Sequence, residues 1–176
     1  MTERPFMPIG IAVMTVSDTR TSADDKSGDT LAERIVGAGH RLAGRVIVKD
    51  EVLHIRQAAG IFIADKNVDV VISTGGTGLT GRDVTIEAMR ELFEKEIEGF
   101  STVFHMISFA KIKTSTMQSR ATAGVVKGKY IFCLPGSPGA CRDGWDEILV
   151  HQLDYRNKPC NFIEIMPRLE EHQRRK

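Results

Sequence analysis

Short apolar runs alternate with amphipathic stretches along most of the chain. Residues 9–16 (IGIAVMTV) form the first run and read as a central strand ending at Ser17, Asp18, Thr19 and Arg20. Residues 18–29 are polar and rich in turn-formers, which predicts a loop. Ser27 is placed to cap a helix over 28–37, with Leu31, Ile35 and Val36 on one face and Gly37 and Gly39 as stops. Residues 41–48 give a second strand, ending at Lys49 and Asp50. A helix over 54–66 carries Ile55, Ala59 and Phe62 at helical spacing. Residues 69–73 are a third strand, and it feeds a glycine-rich loop over 73–83 (STGGTGLTGRD). Thr85 then caps a helix bearing Ile86, Met89 and Phe93. A second helical stretch over 94–107 carries Ile97, Val103 and Ile107, and threonine-rich residues 111–120 read as a loop.

Two β-type runs follow, 123–126 and 130–134, separated by Lys127-Gly128-Lys129 as in a hairpin. A second glycine-proline loop spans 135–139. A final helix over 140–153 turns Cys141, Trp145, Ile148 and Leu149 inward. The alternation predicts an α/β fold: a three-layer sandwich with a mostly parallel central sheet and helices on both faces. No repeat, linker or low-complexity segment divides it, so residues 1–176 read as one domain with flexible ends at about 1–8 and 166–176.

Composition narrows the function classes. A 41% hydrophobic fraction with 27% charged residues is ordinary for a globular chain. A net charge of +1 argues against a nucleic-acid surface. No apolar run approaches the ~20 residues that cross a bilayer, and no signal peptide is legible, so no membrane role is expected. Cys133, Cys141 and Cys160 are widely spaced without a CxxC pair, which fits free thiols in a reducing cytoplasm.

The candidate chemistry gathers at strand ends. In a parallel sheet the loops after residues 16, 73 and 134 share one edge, and Asp50 joins them. Glycines let backbone amides approach phosphate oxygens with no Cβ in the way. The loop lacks both GxxxxGK[ST] and GxGxxG, so the pattern alone allows an anion site or a tight structural turn. Asp83 reads either as a helix-start residue or as a Mg²⁺ ligand, and Asp50 either as an acidic turn residue or as its partner. Cys133 reads as a buried small hydrophobe. Cys141 has no visible base, and the five histidines show no ligand spacing. Ser119 and Arg120 can hold an anionic group or be plain surface.

Taken together, TVSDTR (15–20), DxxSG (24–28), STGGTGLTGRDVT (73–85) and LPGSPGA (134–140) resemble the molybdenum cofactor biosynthesis proteins, in particular the molybdopterin adenylyltransferases. EIEGFSTVFHMISF with TSTMQSRATAG resembles the protein B branch. The resemblance covers residues 9 to about 162. It implies a trimer, or a hexamer of two trimers. It also implies that ATP adenylylates the terminal phosphate of molybdopterin, with Mg²⁺ as cofactor and a molybdate-inserting protein downstream. The family's two functional aspartates fall on Asp50 and Asp83, as catalytic and metal-binding residues. Its glycine loop falls on Thr74, Gly75, Gly76, Thr77 and Gly78, and its Pro-Gly loop on Pro135, Gly136 and Ser137. Ser119 falls at a pterin-holding position, and Ser17 joins the candidate substrate residues. The alternatives are a non-catalytic oligomeric molybdopterin carrier and a nucleotide hydrolase on the same domain type.

Overall fold

The computed structural model describes residues 4–173. Six strands form one sheet in the order β2-β1-β3-β6-β5-β4. They are β1 (Gly10–Val16), β2 (Arg41–Val48), β3 (Val70–Thr74), β4 (Lys95–Glu96), β5 (Thr122–Val126) and β6 (Lys129–Leu134). β1, β2, β3 and β6 run parallel, whereas β5 returns antiparallel to β6 and pairs antiparallel with β4. The predicted hairpin is therefore present.

The central strands read as unbroken apolar runs because both their faces are covered. Ile11 and Val13 of β1, Val70 and Ile72 of β3, and Tyr130 and Phe132 of β6 pack on one side with Leu31, Ile35, Phe100, Phe104 and Trp145. Ala12 and Met14, Val71, and Ile131 and Cys133 pack on the other with Ile55, Ala59, Ile86 and Met89. The first face is covered by α1 (Lys26–Gly37), α4 (Glu98–Ile112) and α5 (Pro138–Gly144), and the second by α2 (Val52–Ala64) and α3 (Thr85–Arg90). Three layers result.

Several local expectations are corrected. Helix α1 begins at Lys26, capped by Asp25, whose side chain accepts from Gly28 N; Ser27 instead donates its hydroxyl to Gly136 O at 2.7 Å. Thr85 is not the cap of α3 but its first residue, and its hydroxyl donates to Gly75 O at 2.9 Å. The stretch over 94–107 is not one helix, because Lys95 and Glu96 pair with β5 before α4 starts at Glu98. The loop over 111–120 is helical: α4 runs to Ile112, and Lys113–Gln118 form a 3₁₀ turn.

The last long helix continues from α5 through a π turn (Trp145–Leu149) into α6 (Val150–Gln152), and a short α7 (Phe162–Ile165) follows. The ends also hold contacts. Arg4 pairs with Glu164 at 2.8 Å, Phe6 packs on the His40 ring, and Leu169 lies against the core. The outermost residues of both expected tails lie outside the described residues. Among the described residues no helix is long and apolar enough to cross a membrane.

Candidate functional site

The carboxyl ends of β1, β2, β3 and β6 share one edge, so four loops converge there. The strand order places β1 between β2 and β3, the point where crossovers part to opposite sides of an α/β sheet and where ligands bind. The glycine loop leaves β3 at this point. Gly75 and Gly76 have φ of +97° and +63°, a left-handed region that side chains rarely adopt. A Cβ on Gly75 would meet Val16 O at 2.2 Å, so the loop lies directly on the end of β1.

Both sequence-predicted aspartates reach this loop. A Cβ on Gly76 would fall 2.7 Å from Asp50 Oδ1, and one on Gly78 would fall 2.7 Å from Asp83 Oδ2. Two glycines thus leave room for two carboxylates. Thr80 donates to Asp83 Oδ2 through its amide at 2.9 Å and its hydroxyl at 2.7 Å. Asp50 N donates to Asp18 Oδ1 at 3.1 Å, and Arg82 grips Asp18 from the glycine-loop side at 2.8 Å.

Their electrostatics differ. Burial, then the neighbouring Asp18 carboxylate, and further the Asp83 carboxylate push the Asp50 carboxyl above the usual carboxylate range. Burial also acts upward on Asp83, but hydrogen bonds from the Thr80 hydroxyl and from the Thr80 and Gly78 amides hold it below that range. Carboxylates are a ligand type that a hard divalent cation takes. Among the described residues no group of three or more His, Cys, Asp or Glu side chains stands together as a metal site.

The Pro-Gly loop closes the other side. A Cβ on Gly136 would meet Gly75 Cα at 3.1 Å, so the two loops touch backbone to backbone. Gly136 O also accepts from Arg20 at 3.0 Å. Thr74 is fully buried, with its hydroxyl donated to Pro135 O at 2.9 Å. Thr74 therefore pins the two loops together from beneath, and Pro135 is buried with it. Ser137 caps α5 by accepting from Ala140 N, and Ser17 caps its own turn by accepting from Arg20 N. Thr77 is buried and offers its carbonyl to Arg120.

Ser119 stands apart from the two aspartates. It lines a cavity of about 310 Å³ with Pro135, Ser137, Gly139, Lys111 and Arg142, between α4 and α5. The cleft edge therefore has two flanks that adjoin through Pro135 to Ser137: the glycine loop with its carboxylates, and the Ser119 cavity, where Arg142 stands beside a Lys111–Asp143 pair at 2.6 Å. A larger cavity of about 490 Å³ lies by Lys95 and Leu169 and touches none of these residues.

Cys141 is fully buried, with Thr74 Oγ1 3.1 Å from its sulfur, and burial raises its thiol to about 11. Burial likewise raises Cys133 to about 12. The cations Lys111 and Arg142, the Asp18–Arg82 pair and the role of Arg120 are not legible in the sequence. Each depends on contacts between segments distant along the chain.

The model of a probable molybdopterin-binding domain matches residues 12–155. The chain belongs to this family. Within it, the chain is 48% identical over 157 residues to the molybdenum cofactor biosynthesis protein B of Escherichia coli K12, covering 89% of this chain and 92% of that one. It is 44% identical to the protein of that name from Bacillus cereus, covering 81% and 85%. A crystal structure of a molybdenum cofactor biosynthesis protein B superposes with a TM-score of 0.86 at 39% identity, covering 96% of this chain and 99% of that one. The tungsten cofactor synthesizing protein MoaB from Pyrococcus furiosus follows at 0.70 and 32%, covering 95% and 98%. The family's matched region runs from β1 to beyond α6 and so includes all four loops of the cleft.

Proposed function

We propose that this protein acts in molybdenum cofactor biosynthesis by transferring AMP from ATP to the terminal phosphate of molybdopterin. The observation that carries the proposal is the seating of Asp50 and Asp83 against two glycines of one phosphate-type loop. In this reaction a molybdopterin phosphate oxygen attacks the α-phosphorus of ATP. The bond to the β-phosphate oxygen breaks, giving adenylylated molybdopterin and pyrophosphate.

The nucleophile is already an anion, so no general base is required. What the protein must supply is alignment and relief of charge repulsion. Asp50 and Asp83 would hold Mg²⁺. Bound there, Mg²⁺ neutralises phosphate charge and stabilises the pyrophosphate leaving group. Gly75 to Gly78 offer backbone amides to phosphate oxygens. Ser119 and Arg142, beside the Lys111–Asp143 pair, offer a separate polar flank for the pterin substrate.

The reading includes self-association as a trimer or hexamer. Of the apolar residues of α4, Phe100 and Phe104 are buried, but Val103, Met106, Phe109 and Ile112 are exposed, Met106 at 67%. A face of that breadth suits a protein partner.

The test is direct. Purified protein with molybdopterin, ATP and Mg²⁺ yields adenylylated molybdopterin and pyrophosphate. Asp50→Ala and Asp83→Ala each lower turnover by about 100-fold or more while molybdopterin still binds. Molybdopterin binding at full affinity without ATP-dependent product would establish a carrier instead, and undiminished product from both variants would remove the assigned roles.

A further inference from the structure

Arg120 reads in the sequence as an exposed anion-holding or plain surface residue. In the fold its half-buried guanidinium is spent on the protein's own carbonyls and a surface carboxylate. Its Nε donates to Thr77 O and to Gly78 O, each at 3.0 Å, and one Nη donates to Asp83 O at 3.2 Å. The other Nη is bound to Glu87 in α3. The Arg120 backbone amide also donates to Thr77 O at 3.1 Å. One side chain therefore spans the second half of the glycine loop, from Thr77 to the carbonyl of Asp83, and on into α3.

The next residue back is Ser119, on the opposite flank of the cleft. Its carbonyl lies 3.0 Å from Nε2 of His105, whose Nδ1 lies 2.7 Å from Ser101 O. A continuous chain of contacts runs from α4 through His105 and Ser119 to Arg120 and the glycine loop.

We infer that Arg120 is a positioning residue that locks the glycine loop and Asp83 in register with the Ser119 flank, so that the two halves of the cleft are held as one unit. The inference rests on the proposed function for its catalytic consequence, but not for its structural one. Only a planar fork can serve three carbonyls and a carboxylate together. A lysine offers the same charge from a single nitrogen and cannot. Each fixed carbonyl also fixes the amide of the next residue in the same planar peptide, here Gly78, Leu79 and Val84.

The experiment compares the full-length wild type with Arg120→Lys and Arg120→Ala. Amide hydrogen exchange is read peptide by peptide, together with molybdopterin affinity and turnover with ATP and Mg²⁺. Arg120→Lys raises exchange over residues 75–83 by about tenfold and leaves β1 and β6 unchanged. Its kcat falls about tenfold or more while KM for ATP changes less than about threefold. Arg120→Ala falls further and regains activity in millimolar guanidinium, which has no such effect on Asp83→Ala. Should the wild type show no turnover, the proposed function fails, and exchange over 75–83 with molybdopterin affinity still decides the role of Arg120. Unchanged exchange and affinity in both variants overturn it. So does exchange raised uniformly over the whole sheet, which would make Arg120 a general stability residue.

Discussion

Asp25 and Asp50 sit near the same sheet edge under opposite electrostatics. Asp25 is fully buried and accepts from Thr15 Oγ1 at 2.8 Å, Gly28 N at 3.0 Å and Arg45 at 2.8 Å. Burial alone would raise its carboxyl, but Arg45, Gly28 and Thr15 outweigh it and hold the carboxyl below the usual carboxylate range. Its contribution to stability is complete above the ordinary carboxylate pKa and is lost as pH falls through the depressed one. Asp25→Ala removes a buried acceptor from Thr15 Oγ1, Gly28 N and one Nη of Arg45, which keeps its pair with Asp29, and chemical denaturation at pH 7 should register a loss of about 2 kcal/mol. Asp50 has its folded-state carboxyl raised, so its ionised form is disfavoured by folding. Asp50→Asn should therefore stabilise the metal-free protein at pH 7, by on the order of a few tenths of a kcal/mol after solvent screening. The gain vanishes as pH falls below the ordinary carboxylate range, where the wild-type carboxyl is protonated in both states. A variant that loses turnover yet melts higher marks a residue kept for its charge and not for the fold.

At the scale of elements, the glycine loop is a rigid piece with little tolerance. Gly76→Ala forces φ of +63° on a side chain and drives its Cβ to 2.4 Å from Thr85 Oγ1 and 2.7 Å from Asp50 Oδ1. The strain and the clash together should cost about 2 kcal/mol or more, read as a fall in Tm, and should abolish turnover. Gly81→Ala is the control, because nothing lies within 4 Å of its Cβ, and it should change stability by less than about 0.5 kcal/mol. The same loop shows why part of the fold was legible. Runs such as VVIST are apolar on both faces, and glycines interrupt the pattern abruptly, so strand, loop and edge could be placed from the chain alone. The limits elsewhere have physical causes. β4 is only Lys95–Glu96 and exists because Glu94 N and Ile97 N reach carbonyls of β5, partners some thirty residues away. Residues 113–118 look like a polar loop, yet Thr116 is buried and Arg120 is drawn under the glycine loop. Asp25 and Ser27 are both good caps by type. The Arg45–Asp25 pair, a contact between β2 and α1, settles which one serves.

For the whole molecule, the apolar face of α4 raises the question of assembly. Met106 and Phe109 are more than half exposed, at 67% and 51%, on a helix whose opposite face is core. Replacing both with aspartate should leave the monomer folded, because neither side chain supports the interior. Sedimentation should then find the double variant as a monomer at micromolar concentration where the wild type is a trimer or hexamer. A wild-type monomer would remove the assembly altogether.

β1 has a consequence for the folding pathway. Asp50 and Asp83 follow β2 and β3, and β1 is the strand that lies between those two and pairs with both. Each parallel pair needs a long crossover, so this three-strand unit closes slowly. A partly folded chain without β1 in place has no cleft at all. ATP with Mg²⁺ should accordingly slow unfolding in stopped-flow measurements and leave the refolding rate untouched. Acceleration of refolding by the ligand would mean that the two aspartates meet before the centre of the sheet is laid down.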